Sequence, residues 1–341
     1  VTGGIASLQL GRAITALVVM LHHSDQAANA FTSQPDLQLF SWGIYGVDFF
    51  FVLSGFIIYH VHSTDLRNAG AARQYALKRI IRIYVAYLPV GLGMVALYLA
   101  IPGLSASDRS WGLFTSATLL PSPLPPALSV AWTLVFELMF YMVFLLFYLT
   151  RHFWGLVGLW VAWVQATRVV GIDQQSSALS HLLHPLVLEF VCGMVAALAV
   201  QKVPPGVGPA FLVPAVAGLV GFAALLSAGM EPNRAWLGLP LACLVAALVL
   251  LERAGRFRPS AGPVVLLGAA SYAIYLVHNP IASVMARLLR TADTWAASFA
   301  TSVLAGILVG CVYHLAWERP LLSHLRAWIL PARRPIKAVA N

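Results

Sequence analysis

Charge is what this chain has least of. Of its 341 residues only 10% are Asp, Glu, Lys or Arg, and only 12 are acidic. Soluble domains carry roughly 25% charged residues and about 45–50% apolar ones. Here 60% are hydrophobic. So few charges cannot cover that much apolar surface in water, which excludes an ordinary soluble enzyme; the same composition excludes a disordered chain. Cysteine is also scarce. Cys192, Cys243 and Cys311 all fall inside apolar runs without CxxC spacing, so they read as small buried hydrophobes, and neither a disulfide framework nor a metal is expected. The alternating segments of about ten residues that mark a membrane β-barrel are missing. So is a signal-peptide pattern after Val1, and the first apolar run is expected to be retained.

What is abundant is long apolar runs. A helix needs about 20 residues to cross a bilayer. Hydropathy places such segments at 5–24, 40–60, 85–103, 130–149, 153–170, 185–201, 210–229, 236–252, 263–287 and 295–318. The longest connections, 61–84 and 104–129, are too short to fold alone. The predicted fold is therefore all-α: a polytopic integral membrane protein of about ten transmembrane helices. It is expected to form a single domain over 1–341 with no extra soluble domain.

The 21 basic residues orient this map. With the N-terminus inside, fifteen fall in inner loops and the tail, from Arg67, Arg73 and Lys78 to Arg333, Arg334 and Lys337. Four (Arg109, Arg234, Arg287 and Arg290) fall outside, and Arg12 and Arg168 lie within spans. That bias puts both termini in the cytoplasm and reads the net charge of +9 as membrane topology rather than nucleic-acid binding. From Arg73 to Tyr84 (RQYALKRIIRIY) basic and apolar residues alternate at helical spacing. An interfacial amphipathic helix near 73–84 on the inner leaflet is predicted, as a lipid anchor or as part of a site. Pro121, Pro123, Pro125 and Pro126 predict a stiff, extended outer loop.

An ionisable side chain within a span costs about 2.5–3.5 kcal/mol on insertion scales, so each needs a reason. Arg12 and His23 are eleven residues apart, within about 20° of three full helical turns, so they share one face about 16 Å apart. Asp48 lies in the second segment, Glu137 with Tyr141 one turn on in the fourth, and Glu189 in the sixth. Ser271, Tyr275 and His278 form a polar stripe on the ninth, and His314 and Glu318 stand at i and i+4 in the tenth. By depth, His23, Asp48, Glu137, Glu189 and His278 sort to the outer half. Arg12, His314 and Glu318 sort inward, beside the basic helix. This sorting predicts a polar cavity opening outward with a cationic inner mouth. His23 with Asp48 or Glu137 is the best acid–base candidate. Each residue taken singly also fits a structural hydrogen bond, a snorkelling arginine, or (for Glu318 with Arg319) an interfacial ion pair.

These residues sit in five ordered blocks. They are Arg12-x10-His23 (RAITALVVMLHH), Gly46 to Phe56 (GVDFFFVLSGF), Arg79-x-x-Arg82 with Ile83-Tyr84, Trp132-Thr133-Leu134 with Glu137 and Phe140-Tyr141, and Ser271 to His278 (SYAIYLVH). Together they resemble the acyltransferase-3 family of bacterial membrane acyltransferases over nearly the full chain, most like its exopolysaccharide acetyltransferase branch. The resemblance implies a ten-span enzyme of the bacterial inner membrane. It would move an acyl group, usually acetyl, from acyl-CoA (acetyl-CoA) to a carbohydrate or surface polysaccharide. It implies a catalytic role for His23 and donor binding by Arg79 and Arg82; the charge pattern adds Asp48 or Glu137 as the acid partner of His23, and Lys78 and Arg12 as a continuation of the cationic path. Trp132, Tyr141, Ser271, Tyr275 and His278 are expected to meet the acceptor. Many members have two adjacent acids in the fourth-span block; here Leu138 takes the second position. No room is expected for the outer domain that relays the group in some members. The acyl group would then go directly to the acceptor or to a separate periplasmic transferase. The rival reading is a secondary transporter or a flippase of a lipid-linked sugar, although no repeated halves with paired broken helices are visible.

Overall fold

The computed structural model of the protein describes residues 5–33, 37–101, 110–170, 178–230, 232–258 and 262–329. Arg109, Arg333, Arg334 and Lys337 of the charge map lie outside the described residues. Every regular element among them is helical. In chain order these are α1 (Ala6–Phe31), α2 (Gly46–His62), α3 (Ala69–Ala100), the short α4 (Leu113–Thr118), α5 (Trp132–Phe144), α6 (Leu146–Leu149), α7 (Phe153–Val170), α8 (Ala178–Leu182) and α9 (Leu186–Lys202). Then come α10 (Gly208–Ser227), α11 (Gly238–Arg253), α12 (Pro263–Leu288), α13 (Trp295–Tyr313) and α14 (Arg319–Ile329).

Seven helical stretches among the described residues are long and apolar enough to cross a membrane: Ser41–His62, Ala69–Ala100, Ser129–Leu149, Pro205–Ser227, Arg234–Arg253, Pro263–Leu288 and Trp295–Ile329. The chain is a polytopic membrane protein. The other three expected segments are also helical, as α1, α7 and α9. α1 is diluted by Arg12 and by the polar run from His22 to Asp25, and α9 has only 17 residues.

Two expectations change. Residues 73–84 do not form a separate interfacial helix: they are the first part of α3, one helix of 32 residues and about 48 Å. Asn68 caps it, its side chain accepting from Ala71 N at 2.8 Å, and the helix continues through Pro89 to Ala100. Pro89 lies inside α3 and cannot donate to the Val85 carbonyl four residues back. The Trp317 indole donates to that oxygen instead, at 2.9 Å. The tenth segment likewise runs past 318: a π-helical turn, His314–Glu318, joins α13 to α14.

α1 packs along α12, α12 along α13, and α2 along α9. Gly55 and Gly193 bring α2 and α9 into backbone contact. A Cβ on Gly193 would stand 2.0 Å from the Val52 carbonyl oxygen, and one on Gly55 2.0 Å from that of Phe190. Small residues at a crossing let membrane helices approach closely enough for dispersion to hold them. The N-terminus of α1 is held by Glu252, whose two carboxylate oxygens accept from Ala6 N and Ser7 N at 2.7 Å each, satisfying two otherwise unpaired donors. The proline loop is non-helical, as expected. It is tied to α4: Pro125 O accepts from Gly112 N at 2.9 Å, and Leu124 O accepts from Thr115 Oγ1 at 2.8 Å.

Candidate active site

α1, α2, α3, α5 and α12 surround a cavity of about 140 Å³. Its wall contains Arg12, Arg79, Arg82, Glu137, Tyr141, Ser271 and Tyr275. The fold thus brings seven of the expected site residues together. Glu137 belongs with the arginines, rather than in a half of its own with His23.

Arg79, Arg82 and Glu137 in this wall each have a distinct anchor. Arg82 pairs with Glu318, which is fully buried, and its guanidinium lies 5.0 Å from the Tyr272 ring centroid. Glu318 also accepts from His314 Nδ1 at 2.7 Å, across the π-helical turn. That turn, rather than a regular helix end, is how the sequence presents Glu318 inward, and π-turns often mark functional sites. Arg79 Nη2 donates to His62 Nε2 at 2.7 Å and sits 5.5 Å from the rings of both Tyr75 and Tyr141. Tyr141 donates to Glu137 one turn back on α5. Ser271 Oγ bonds its own helix at Gly268 O, 2.9 Å away.

Tyr275 lines the cavity, and its ring centroid lies 5.5 Å from that of His278. Its hydroxyl lies 2.8 Å from Thr133 Oγ1 and donates to Val130 O at 3.1 Å, and its ring meets Phe50 edge-on at 5.6 Å. Beyond it lie two imidazoles. His278 Nε2 is 3.1 Å from His23 Nδ1, joining α12 to α1. His278 Nδ1 faces the carbonyl oxygens of Tyr275 (2.7 Å) and Ile274 (3.2 Å), so that nitrogen carries the hydrogen. In a neutral ring Nε2 is then an acceptor. It requires a hydrogen on His23 Nδ1, which is also 3.0 Å from Val19 O. The chain of contacts therefore leaves the lone pair of neutral His23 on Nε2, the state of a general base or nucleophile. Neither His23 nor His278 lines the cavity.

The remaining expected residues lie elsewhere. Asp48 is fully buried and held by Arg234, at 3.2 Å from Nε and 2.6 Å from Nη2, with the buried Glu189 beside it. His23 is thus paired with an imidazole rather than with Asp48 or Glu137. Lys78 is exposed on α3, and Trp132 is half-buried against Phe136, with ring centroids 5.9 Å apart. Sequence reasoning missed His62, Tyr272 and Arg234 as partners of site residues. The only signal for His62 was a histidine in the last turn of a span, and Arg234 read as an outer-loop charge.

A membrane-embedded helical protein with a cationic cavity beside an imidazole pair is the class this geometry defines. Residues 5–316 match the family model described as an acyltransferase domain (acyltransferase-3), and the chain belongs to that family. It is similar to the exopolysaccharide production protein ExoZ of Rhizobium meliloti strain 1021. The two are 35% identical over 308 residues, covering 84% of this chain and 92% of the relative. No solved structure matches the chain.

Proposed function

We propose that this acyltransferase moves an acyl group, acetyl in the simplest case, from cytoplasmic acyl-CoA to a hydroxyl of an exported or surface polysaccharide, in the bacterial inner membrane. The observation that carries the reading is a cavity walled by Arg12, Arg79 and Arg82, with the His23–His278 pair just beyond Tyr275. Similarity to an exopolysaccharide production protein supports the acceptor class. In this reading α1, α7 and α9 also cross the bilayer, giving ten spans with both termini cytoplasmic.

The anionic phosphates of CoA would meet Arg79 and Arg82, with Lys78 at the surface and Arg12 deeper, through charge-assisted hydrogen bonds. The thin, uncharged pantetheine arm would run along the cavity to present its thioester toward Tyr275. Turning the Tyr275 ring aside would open the way to His23. His23 Nε2 then takes the proton of the acceptor hydroxyl as that oxygen attacks the thioester carbonyl carbon. The carbon–sulfur bond breaks and the thiolate leaves and is protonated. An equivalent balance has His23 Nε2 take the acyl group first and pass it to the hydroxyl. His278 orients His23 through Nδ1; Trp132, Tyr141, Ser271 and Tyr275 are the proposed acceptor contacts. Asp48, bound to Arg234, would act on the scaffold of α2.

Oriented proteoliposomes test this. Acyl-CoA is supplied on one face and a membrane-impermeant polysaccharide fragment on the other. Acylated product from opposite faces is expected. Product only from substrates on the same face would overturn the crossing, and CoA-independent movement of a lipid-linked sugar would overturn the enzyme reading in favour of a flippase.

A further inference from the structure

The two arginines of the Arg79-x-x-Arg82 segment are anchored in opposite ways. Arg82 is bound by a buried carboxylate, Glu318, so its charge is largely compensated within the protein. Arg79 is bound by an imidazole nitrogen, which carries no negative charge. Among the described residues no carboxylate forms a salt bridge with Arg79. The guanidinium can therefore take an anion in the cavity as its partner.

The imidazole is itself fixed. His62 is buried, and its Nδ1 donates to Asp65 Oδ2 at 2.7 Å. Tyr148 donates to the same oxygen at 2.8 Å. Partial burial of Asp65 works against its charged form, but the hydrogen bonds from His62 and Tyr148 outweigh this and hold the carboxyl below its ordinary range. The hydrogen on Nδ1 leaves the lone pair on Nε2, where it accepts from Arg79. The relay runs Tyr148 and Asp65, His62, Arg79, from the α2–α3 turn to the cavity wall.

We propose that His62 is the positioning residue for the acyl donor: neutral, it aims Arg79 at the donor's phosphates, and protonated, it releases it. This rests on the donor reading given above. The charged and titratable groups facing His62 are Asp65 from the turn, Tyr75, Lys78 and Arg79 from α3, and Tyr148 from α6. A second proton on the ring would have to sit on Nε2, where an N–H would point at the Arg79 guanidinium. Two donors cannot bond each other, and two cations at that distance repel. Acidification would therefore turn Arg79 away while leaving Arg82, tied to Glu318, in place.

Calorimetry with CoA and with dephospho-CoA, on the detergent-solubilised full chain from pH 5.5 to 8, tests the idea. Arg79→Ala is expected to weaken CoA about ten-fold or more, the worth of a charge-assisted contact. His62→Ala should produce much of that loss, and adding it to Arg79→Ala should cost little more. His62→Gln can accept from Arg79 and donate to Asp65, so it should bind nearly as the wild type at pH 8. It should also lack the extra loss of affinity that the wild type shows on acidification. Should His62→Ala fail to fold, the pH comparison between wild type and His62→Gln decides alone. If Arg79→Ala binds CoA normally, the positioning role of His62 fails with it, and if Arg82→Ala also binds CoA normally, the donor reading fails. If Arg79→Ala weakens binding but His62→Ala does not, or His62→Gln keeps the wild-type pH profile with both ligands, the positioning role of His62 is overturned and the donor reading stands.

Discussion

Replacing Glu318 by Gln removes the buried carboxylate that pairs with Arg82. Glu318 has no exposed surface and the Arg82 side chain is 21% exposed. Removing one partner of a buried ion pair commonly costs about 3–5 kcal/mol. Here the amide of Gln still accepts a hydrogen bond, the Tyr272 ring still faces the guanidinium, and the partial exposure screens part of the charge. A loss of about 2 kcal/mol is the working figure. Domains of 150–250 residues lose about 2–4 °C per kcal/mol, so the apparent melting temperature in detergent should fall by about 5 °C. A second effect identifies the cause. An uncompensated Arg82 has more to gain from a phosphate, so saturating CoA should raise the melting temperature of Glu318→Gln by more than it raises that of the wild type. Thermal unfolding of both proteins with and without CoA measures the two shifts. Equal stability without CoA, or an equal CoA-induced shift, refutes the argument that Glu318 neutralises Arg82 inside the donor cavity.

His23→Ala should abolish acyl transfer at matched membrane levels, whereas His22→Ala, whose ring bonds the Phe40 carbonyl and meets the His23 ring edge-on, should keep most of it; turnover in proteoliposomes separates them. Asp48→Asn should lower thermal stability by about 2 kcal/mol by taking the carboxylate away from Arg234, and Asp48→Asn with Arg234→Met should recover part of that loss in the same melting assay. In Gly193→Ala the new methyl would meet the backbone of α2, which cannot step aside. The expected cost is about 1–3 kcal/mol of overpacking, seen as a lower melting temperature, while Gly221→Ala, whose surroundings are open, should melt as the wild type.

The helices were legible because apolar runs of spanning length leave few alternatives, and each of the ten predicted segments has a helix at its centre among the described residues. The errors came from charge. Basic residues from Arg73 to Arg82 looked like a surface helix, because sequence does not show that Arg79 and Arg82 turn into a cavity and find partners there. Glu318-Arg319 looked like a helix end at the water boundary, yet Glu318 is sealed between Arg82 and His314. Counting residues into a span put Glu137 at the depth of His23, but depth in one helix says nothing of which neighbours it meets. Spacing put Tyr141 one turn from Glu137 and Tyr275 on one stripe with Ser271 and His278, but that these residues share a wall with Arg12, Arg79 and Arg82 is visible only in the structure. The pairs His23–His278, Arg79–His62 and Asp48–Arg234 depend on which helices are adjacent, and that is set by packing of glycines and ring faces across the whole bundle.

The Trp317 indole occupies the carbonyl that Pro89 cannot reach. The Val85 carbonyl is open to the indole because residue 89 has no N–H to offer it. Restoring an ordinary residue at 89 would return the helical bond and put Trp317 in competition for the same oxygen. An indole N–H that loses its partner among lipid tails is costly. Among relatives, proline at this point of the third helix should therefore be inherited together with a side-chain donor at the position of Trp317, and the two should be lost together.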